Sequence, residues 1–269
     1  MSKRASRLTG ERIMRRATMV SVVSAAALTW LLAVTVPASG AIVSAQADSY
    51  IENWVVSRST NFGTSPVLLA QHESFYYFDR KAYIRFDTSS LTIPGREYIL
   101  GLNVVDSGRA SVSTTQVFEF EVYGLNDGVG ENWLESGITW NNAPAKASRN
   151  LFTSDATSLG KFYITGKGAG SAISFSSVAN PAMAAFIESD TDHQVTFMIA
   201  RNTQTEGGWN SYYSHAFASL QSAIGGPTLQ VVDSQPIRQS PEPGSVIVWS
   251  LLGATGISFG WWRRRRRAG

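Results

Sequence analysis

The residues of this chain whose types could do chemistry are aromatic rings near the ends of strand-like segments or in turn-like stretches, and the chemistry open to such rings is stacking on a ligand such as a sugar. Flat rings stack on the C–H faces of pyranoses, while fixed polar groups meet the hydroxyls. Trp54 lies near the end of the first strand-like segment, Ser49–Val56. Tyr76 and Tyr77 stand side by side in residues 71–80, between two strand-like segments, where both rings cannot easily turn inward. Trp209 lies in Glu206-Gly207-Gly208-Trp209-Asn210, which reads as a turn, with Tyr212 just beyond. Arg80 and Arg85 complete the candidate set as hydrogen-bond donors; for Arg85, pairing with a neighbouring carboxylate that fixes a loop is the competing role. The competing role for each ring is to cover a sandwich edge or fill the core.

Other chemistries have less support. His72, His193 and His215 are the only histidines, and none sits in an H-E-x-x-H or His-x-His spacing. There is no G-x-S-x-G elbow and no cysteine, so neither a local nucleophile nor a thiolate metal site is implied. Carboxylates are abundant, and a glycosidase pair is not excluded by counting them. Gly166-Lys167-Gly168-Ala169-Gly170 lacks the strand and helix of a phosphate loop and reads as a hairpin turn. Asp48 and Asp87 are chemically able to ligate calcium, but no calcium-loop spacing surrounds them, so no metal and no cofactor is assigned.

Charge is divided unevenly along the 269 residues. Of 23 Lys and Arg, six lie in residues 1–47 and six in 234–269. The body, 48–233, keeps 11 basic against 18 acidic residues, a net of about −7, although the whole chain sums to +3. With no basic stripe, nucleic acid is excluded as a partner and a strongly anionic polysaccharide is disfavoured.

The two ends read as targeting segments. A basic leader, 1–16, precedes the uncharged stretch Ala17 to Val36, then Pro37-Ala38-Ser39-Gly40-Ala41 and Ala45-Gln46-Ala47. This is the pattern of a secretory signal, with small residues allowing cleavage after Gly40, Ala41 or Ala47. Arg15-Arg16 is followed by Ala17-Thr18 instead of apolar bulk, which favours the general secretory route. An uncleaved anchor is the alternative. At the other end stand Pro241-Glu242-Pro243, an uncharged segment from Gly244 to Trp262, and then Arg263, Arg264, Arg265, Arg266 and Arg267. Nineteen helical residues span ~28 Å, about one hydrocarbon core, and the arginine run holds its end in the cytoplasm. The order of motif, span and basic end resembles the PEP-CTERM sorting tail. That resemblance implies processing by an exosortase-type membrane enzyme and an association with the membrane through the tail before processing. A plain single-pass anchor is the alternative.

Between these ends the pattern is of short alternating segments. Strands are expected at Ser49–Val56, Val67–Gln71 and Lys81–Asp87, around Leu100–Val105 and Phe118–Tyr123, and at Lys161–Thr165, Ala172–Phe175, Val195–Ala200 and Thr228–Val232. One helix is expected after Asn180-Pro181, with Asn180 as its cap and Met183, Phe186 and Ile187 on one face. Within 81–87, Ala82, Ile84 and Phe86 face one way and Lys81, Tyr83 and Arg85 the other. Trp133 and Trp140 read as packing residues. The expected fold is all-β: a single antiparallel β-sandwich of jelly-roll type with one short helix. The expected boundaries are a signal at 1–47, the sandwich at 48–233, a linker at 234–240 and the sorting tail at 241–269.

Several segments of the body resemble the DNRLRE domain family. They are Ala47-Asp48-Ser49-Tyr50-Ile51, Asn61-Phe62-Gly63-Thr64-Ser65, Arg80 to Asp87, Trp133 with Ile138-Thr139-Trp140-Asn141-Asn142-Ala143-Pro144, Phe217-Ala218-Ser219 and Pro227-Thr228-Leu229. The resemblance implies a β-sandwich and, as in some members, polysaccharide binding without catalysis. The expectation is therefore an exported, non-enzymatic cell-surface or matrix protein that contacts polysaccharide. A structural or adhesive protein without a sugar site, and a polysaccharide-cleaving enzyme, are the alternatives.

Overall fold

The computed structural model describes residues 40–73, 79–91, 96–108, 113–146, 154–205 and 213–232. Tyr76, Tyr77, Trp209, Tyr212, the leader up to residue 39 and the whole tail lie outside the described residues. Among the described residues no helix is long and apolar enough to cross a membrane.

Eleven strands and one helix are described: β1 (Ile42–Ser44), β2 (Ala47–Glu52), β3 (Val67–Ala70), β4 (Arg80–Asp87), β5 (Glu97–Val105), β6 (Val117–Leu125), β7 (Ala156–Thr165), β8 (Ala172–Ser176), α1 (Pro181–Glu188), β9 (Gln194–Arg201), β10 (His215–Ala218) and β11 (Thr228–Val232). They form two antiparallel sheets. One runs β2-β4-β9-β6-β7. In the other, β5 pairs β8, and it also pairs β11 through residues 97–101 and β10 through residues 104–105. That sheet forks: β1 extends it beyond β11, and β3 beyond β10.

The main core lies between the sheets. β5 and β6 alternate as their sequence dictates, burying Tyr98, Leu100, Leu102 and Val104 from one and Phe118, Phe120 and Val122 from the other. Aromatic rings interlock at its centre. Phe120 stacks on Phe162 with centroids 5.0 Å apart, and Phe217 meets both edge-on. On α1, Met183 and Ile187 are buried and Phe186 packs against the same core.

Four sequence expectations are corrected. The first long strand ends at Glu52, and Trp54 begins a turn whose carbonyl accepts from the amides of Ser57 and Arg58. Asn180 precedes the helix but does not cap it; its side-chain amide donates instead to the Ser176 carbonyl, and Pro181 opens the helix. The Gly166–Gly170 turn is not a hairpin, because β7 and β8 belong to different sheets and the turn crosses between them. The polar-looking face of β4 does not face water. Residues 125–145 fold over it and bury Lys81 and Tyr83 beneath Trp133, Ile138 and Trp140, forming a second core. Trp133 and Trp140 thus pack as expected, but from turns and irregular segments and not from the strand-like segments their sequence suggested. Residues 42–44, read by sequence as part of the leader, form β1 on the edge of the forked sheet.

Strand registers give the sandwich two distinct ends. At one, β2 finishes at Glu52 opposite Arg80, β3 finishes beside His215, and β9 finishes at Arg201. At the other, Val232 lies opposite Glu97, Asp87 lies opposite Gln194, and the amide of Val231 donates to the Ala41 carbonyl. The chain therefore enters and leaves the described fold side by side, at the end remote from Trp54.

Candidate functional site

The end bearing Trp54 is where the described flanks of two candidate segments, 74–78 and 206–212, come together. Trp54 is 39 % exposed, and Val55 and Val56 after it are also exposed, giving a short apolar knuckle. The segments carrying Tyr76-Tyr77 and Trp209-Tyr212 start and finish on described residues of this same end. Glu73 and Thr205, which immediately precede the two segments, pair with each other in a parallel bridge.

Beneath this surface lies a buried ionic network. Arg80 is 3 % exposed, bonds Glu52 and Gln71, and donates to Ser214 Oγ at 2.9 Å. This corrects its reading as a sugar donor: the guanidinium is committed inside, fastening β2, β4 and the start of β10. Arg201 is 0 % exposed and was not singled out by sequence. It donates to the carbonyls of Tyr213 at 2.7 Å and His72 at 3.0 Å, and to Thr205 Oγ1 at 3.0 Å, while its guanidinium lies 5.3 Å from the centre of the Phe118 ring. One cation thereby holds both flanks of 206–212 and the approach to 74–78. His72 Nδ1 and Asp79 Oδ1, at 2.9 Å, join the two flanks of that second segment. The amide of Thr205 donates to the His72 carbonyl, which ties the two segments to one point.

Burial sets the electrostatics here. Glu73 is 6 % exposed; Gln71 bonds one oxygen while Oε2 has no partner, and desolvation pushes its carboxyl up to about 7 against the pull of Gln71, Arg80 and Arg201. Desolvation likewise lowers the Arg201 guanidinium to about 10, so it remains a cation at neutral pH. His215 is depressed to about 3, first by burial and then by Arg201. A neutral ring explains its contacts: Nε2–H donates to the Gly166 carbonyl at 3.0 Å, which leaves Nδ1 facing Arg201 as an acceptor.

Arg85 occupies a different region. Its Nη1 donates to the carbonyls of Glu131 and Trp133, at 3.1 and 2.7 Å, its Nε to Gln46 at 3.1 Å, and its guanidinium lies 5.3 Å from the centre of the Trp133 ring. It fixes a loop, as one sequence reading held, but through backbone carbonyls in place of a carboxylate. It also lines a cleft of about 390 Å³ with Gln46, Thr64, Leu134, Glu135 and Gln221. Gly63 is required at the cleft wall, because a Cβ there would fall 2.2 Å from the Glu135 carbonyl oxygen.

The opposite end carries carboxylates. Oxygens of Asp127, Glu131 and Asp192 lie within 4.8 Å of one another, beside a cavity of about 470 Å³ that Asp190 and Phe186 also line. Desolvation, with repulsion from Asp192, Asp127 and Asp190, raises Glu131 to about 7 despite the amide of Gly128. Oxygen donors of this kind suit a hard cation. Their positions, 127, 131 and 192, follow no calcium-loop spacing, so sequence had no means of finding them.

Among known proteins, residues 40–165 match the family model for carbohydrate-binding module family 96. The match runs from two residues before β1 to the end of β7. No curated protein matches the chain. The body is carbohydrate-binding-module-like, and the match points to a binding domain.

Proposed function

We propose that this is an exported, non-catalytic protein of the cell surface or extracellular matrix that binds polysaccharide at the Trp54 end of its sandwich. The observation that carries this reading is the match of residues 40–165 to carbohydrate-binding module family 96. Its location is supported by the exposed knuckle at Trp54 and by the common root of the segments bearing Tyr76, Tyr77, Trp209 and Tyr212. In this reading the rings stack on sugar faces, while Arg80 and Arg201 act from below by holding the two segments in register. Export proceeds through the N-terminal segment. The tail from Pro241 to the Arg263–Arg267 run serves as a PEP-CTERM signal, recognised by an exosortase-type enzyme after a transient stay in the membrane. The acidic body directs the choice of ligand toward neutral polysaccharides.

Retention of the exported protein on insoluble polysaccharides, including the producer's own matrix, tests the reading. Trp54→Ala is expected to weaken retention at least about tenfold, or ~1.4 kcal/mol, with thermal stability unchanged. Tyr76→Ala, Tyr77→Ala, Trp209→Ala and Tyr212→Ala should act in the same direction. Failure of the unaltered protein to bind any neutral or acidic glycan would refute the sugar-binding role and leave the structural or adhesive one.

A further inference from the structure

Resting on the export reading above, we propose that the leader is removed between Gly40 and Ala41, so that the mature protein begins at Ala41. A secretory cut needs small residues at the first and third positions before it. Gly40 with Ala38, Ala41 with Ser39, and Ala47 with Ala45 all meet that rule, so sequence spacing does not choose among them.

The fold distinguishes them by what each product would lose. A cut after Ala47 would remove β1 entirely. It would strip β11 of its outer partner, in which Ile42, Val43 and Ser44 oppose Gln230, Leu229 and Thr228. It would also remove Ala45, buried in the main core, whose amide donates to the Pro227 carbonyl, and Ala47, buried in the second core. The amide of Gln46, bonded to the Arg85 carbonyl at 2.7 Å, would go with them. Strand β11 carries Leu229 and Val231 into the core, so its bare edge would lie directly beside buried apolar residues.

A cut after Ala41 would keep β1 but discard the Ala41 carbonyl, which accepts from the Val231 amide at 2.8 Å. A cut after Gly40 keeps every one of these contacts. The new ammonium would sit on Ala41, which is exposed, and would bury no charge. Gly40 itself lies so close to β11 that a Cβ would fall 1.9 Å from the Val231 carbonyl oxygen, an approach that its lack of a side chain permits, and with no side chain to bury it takes no apolar group from the core when it leaves. The family match begins at the same residue.

The test is the intact mass and N-terminal peptide of the full chain, produced in an exporting bacterium and recovered outside the cytoplasmic membrane. The expected result is loss of residues 1–40 and an N-terminus at Ala41. An N-terminus at Ile42 or Asp48, or a chain recovered outside that membrane with Met1 retained, overturns the inference while leaving export standing; a chain found only in the cytoplasm overturns both. Ala38→Leu puts bulk at the third position before the proposed cut and leaves Ala45 and Ala47 untouched. It should accumulate precursor, and processing at an unchanged rate to the same product would count against the site.

Discussion

Arg80 and Glu52 show what a single buried charge does here. Each neutralises the other below the surface, so removing one strands its partner in low dielectric. Arg80→Met should cost about 3–5 kcal/mol in chemical denaturation, and Arg80→Met with Glu52→Gln much less than the sum of the single changes. A second residue-scale effect is pH dependence. Asp48 is 0 % exposed, with Oδ2 accepting the Leu220 amide and Oδ1 unpartnered, and burial pushes its carboxyl up to about 7. Glu73 and Glu131 are raised to the same range, mainly by burial. In the unfolded chain such groups titrate near 4. Their contribution to stability is therefore full below about pH 4 and declines as pH rises toward 7. His215 opposes them: its contribution is present above about pH 6.5 and is lost as pH falls toward 3. Three groups against one predict a melting temperature that falls between pH 5 and pH 8. Asp48→Asn should flatten that fall, as calorimetry at the two pH values would read.

Among the elements, the strands differ in how much of their setting they reveal. β5 and β6 were legible because one face of each is buried while the other is only half covered, which enforces alternation. β4 was legible as a strand but not in its setting: the second core hides Lys81 and Tyr83 on a face that alternation alone assigns to water. The burden of that cover falls on Trp133, whose indole N–H donates to Thr196 Oγ1 at 3.1 Å and whose ring lies against Arg85. Trp133→Ala should cost about 3–5 kcal/mol of unfolding free energy, whereas Trp54→Ala, in an exposed turn, should stay within about 0.5. β1 escaped detection because three residues directly after an apolar leader carry no periodicity of their own. The roles of Arg80 and Arg201 were equally hidden. Their partners lie as far away as Ser214 and His72, and no local spacing encodes a contact made across the sandwich.

At the scale of the molecule, the fold sorts its features between two ends. The aromatic candidates were legible as types, since rings and glycines in turns are visible in any sequence. That their segments share one root was not, because the shared root depends on how β3, β9 and β10 converge. The side-by-side arrangement of Gly40 and Val232 at the far end has a mechanical meaning. β11 runs from the interior of its sheet to Val232, flanked by β1 on one side and β5 on the other. If the chain beyond Val232 is held and a load is gripped at the Trp54 end, tension acts along the strand axis. The hydrogen bonds on both flanks of β11 are then strained together in shear, and none can be peeled open ahead of the others. A domain strung in this direction resists extraction far better than one pulled across its strands.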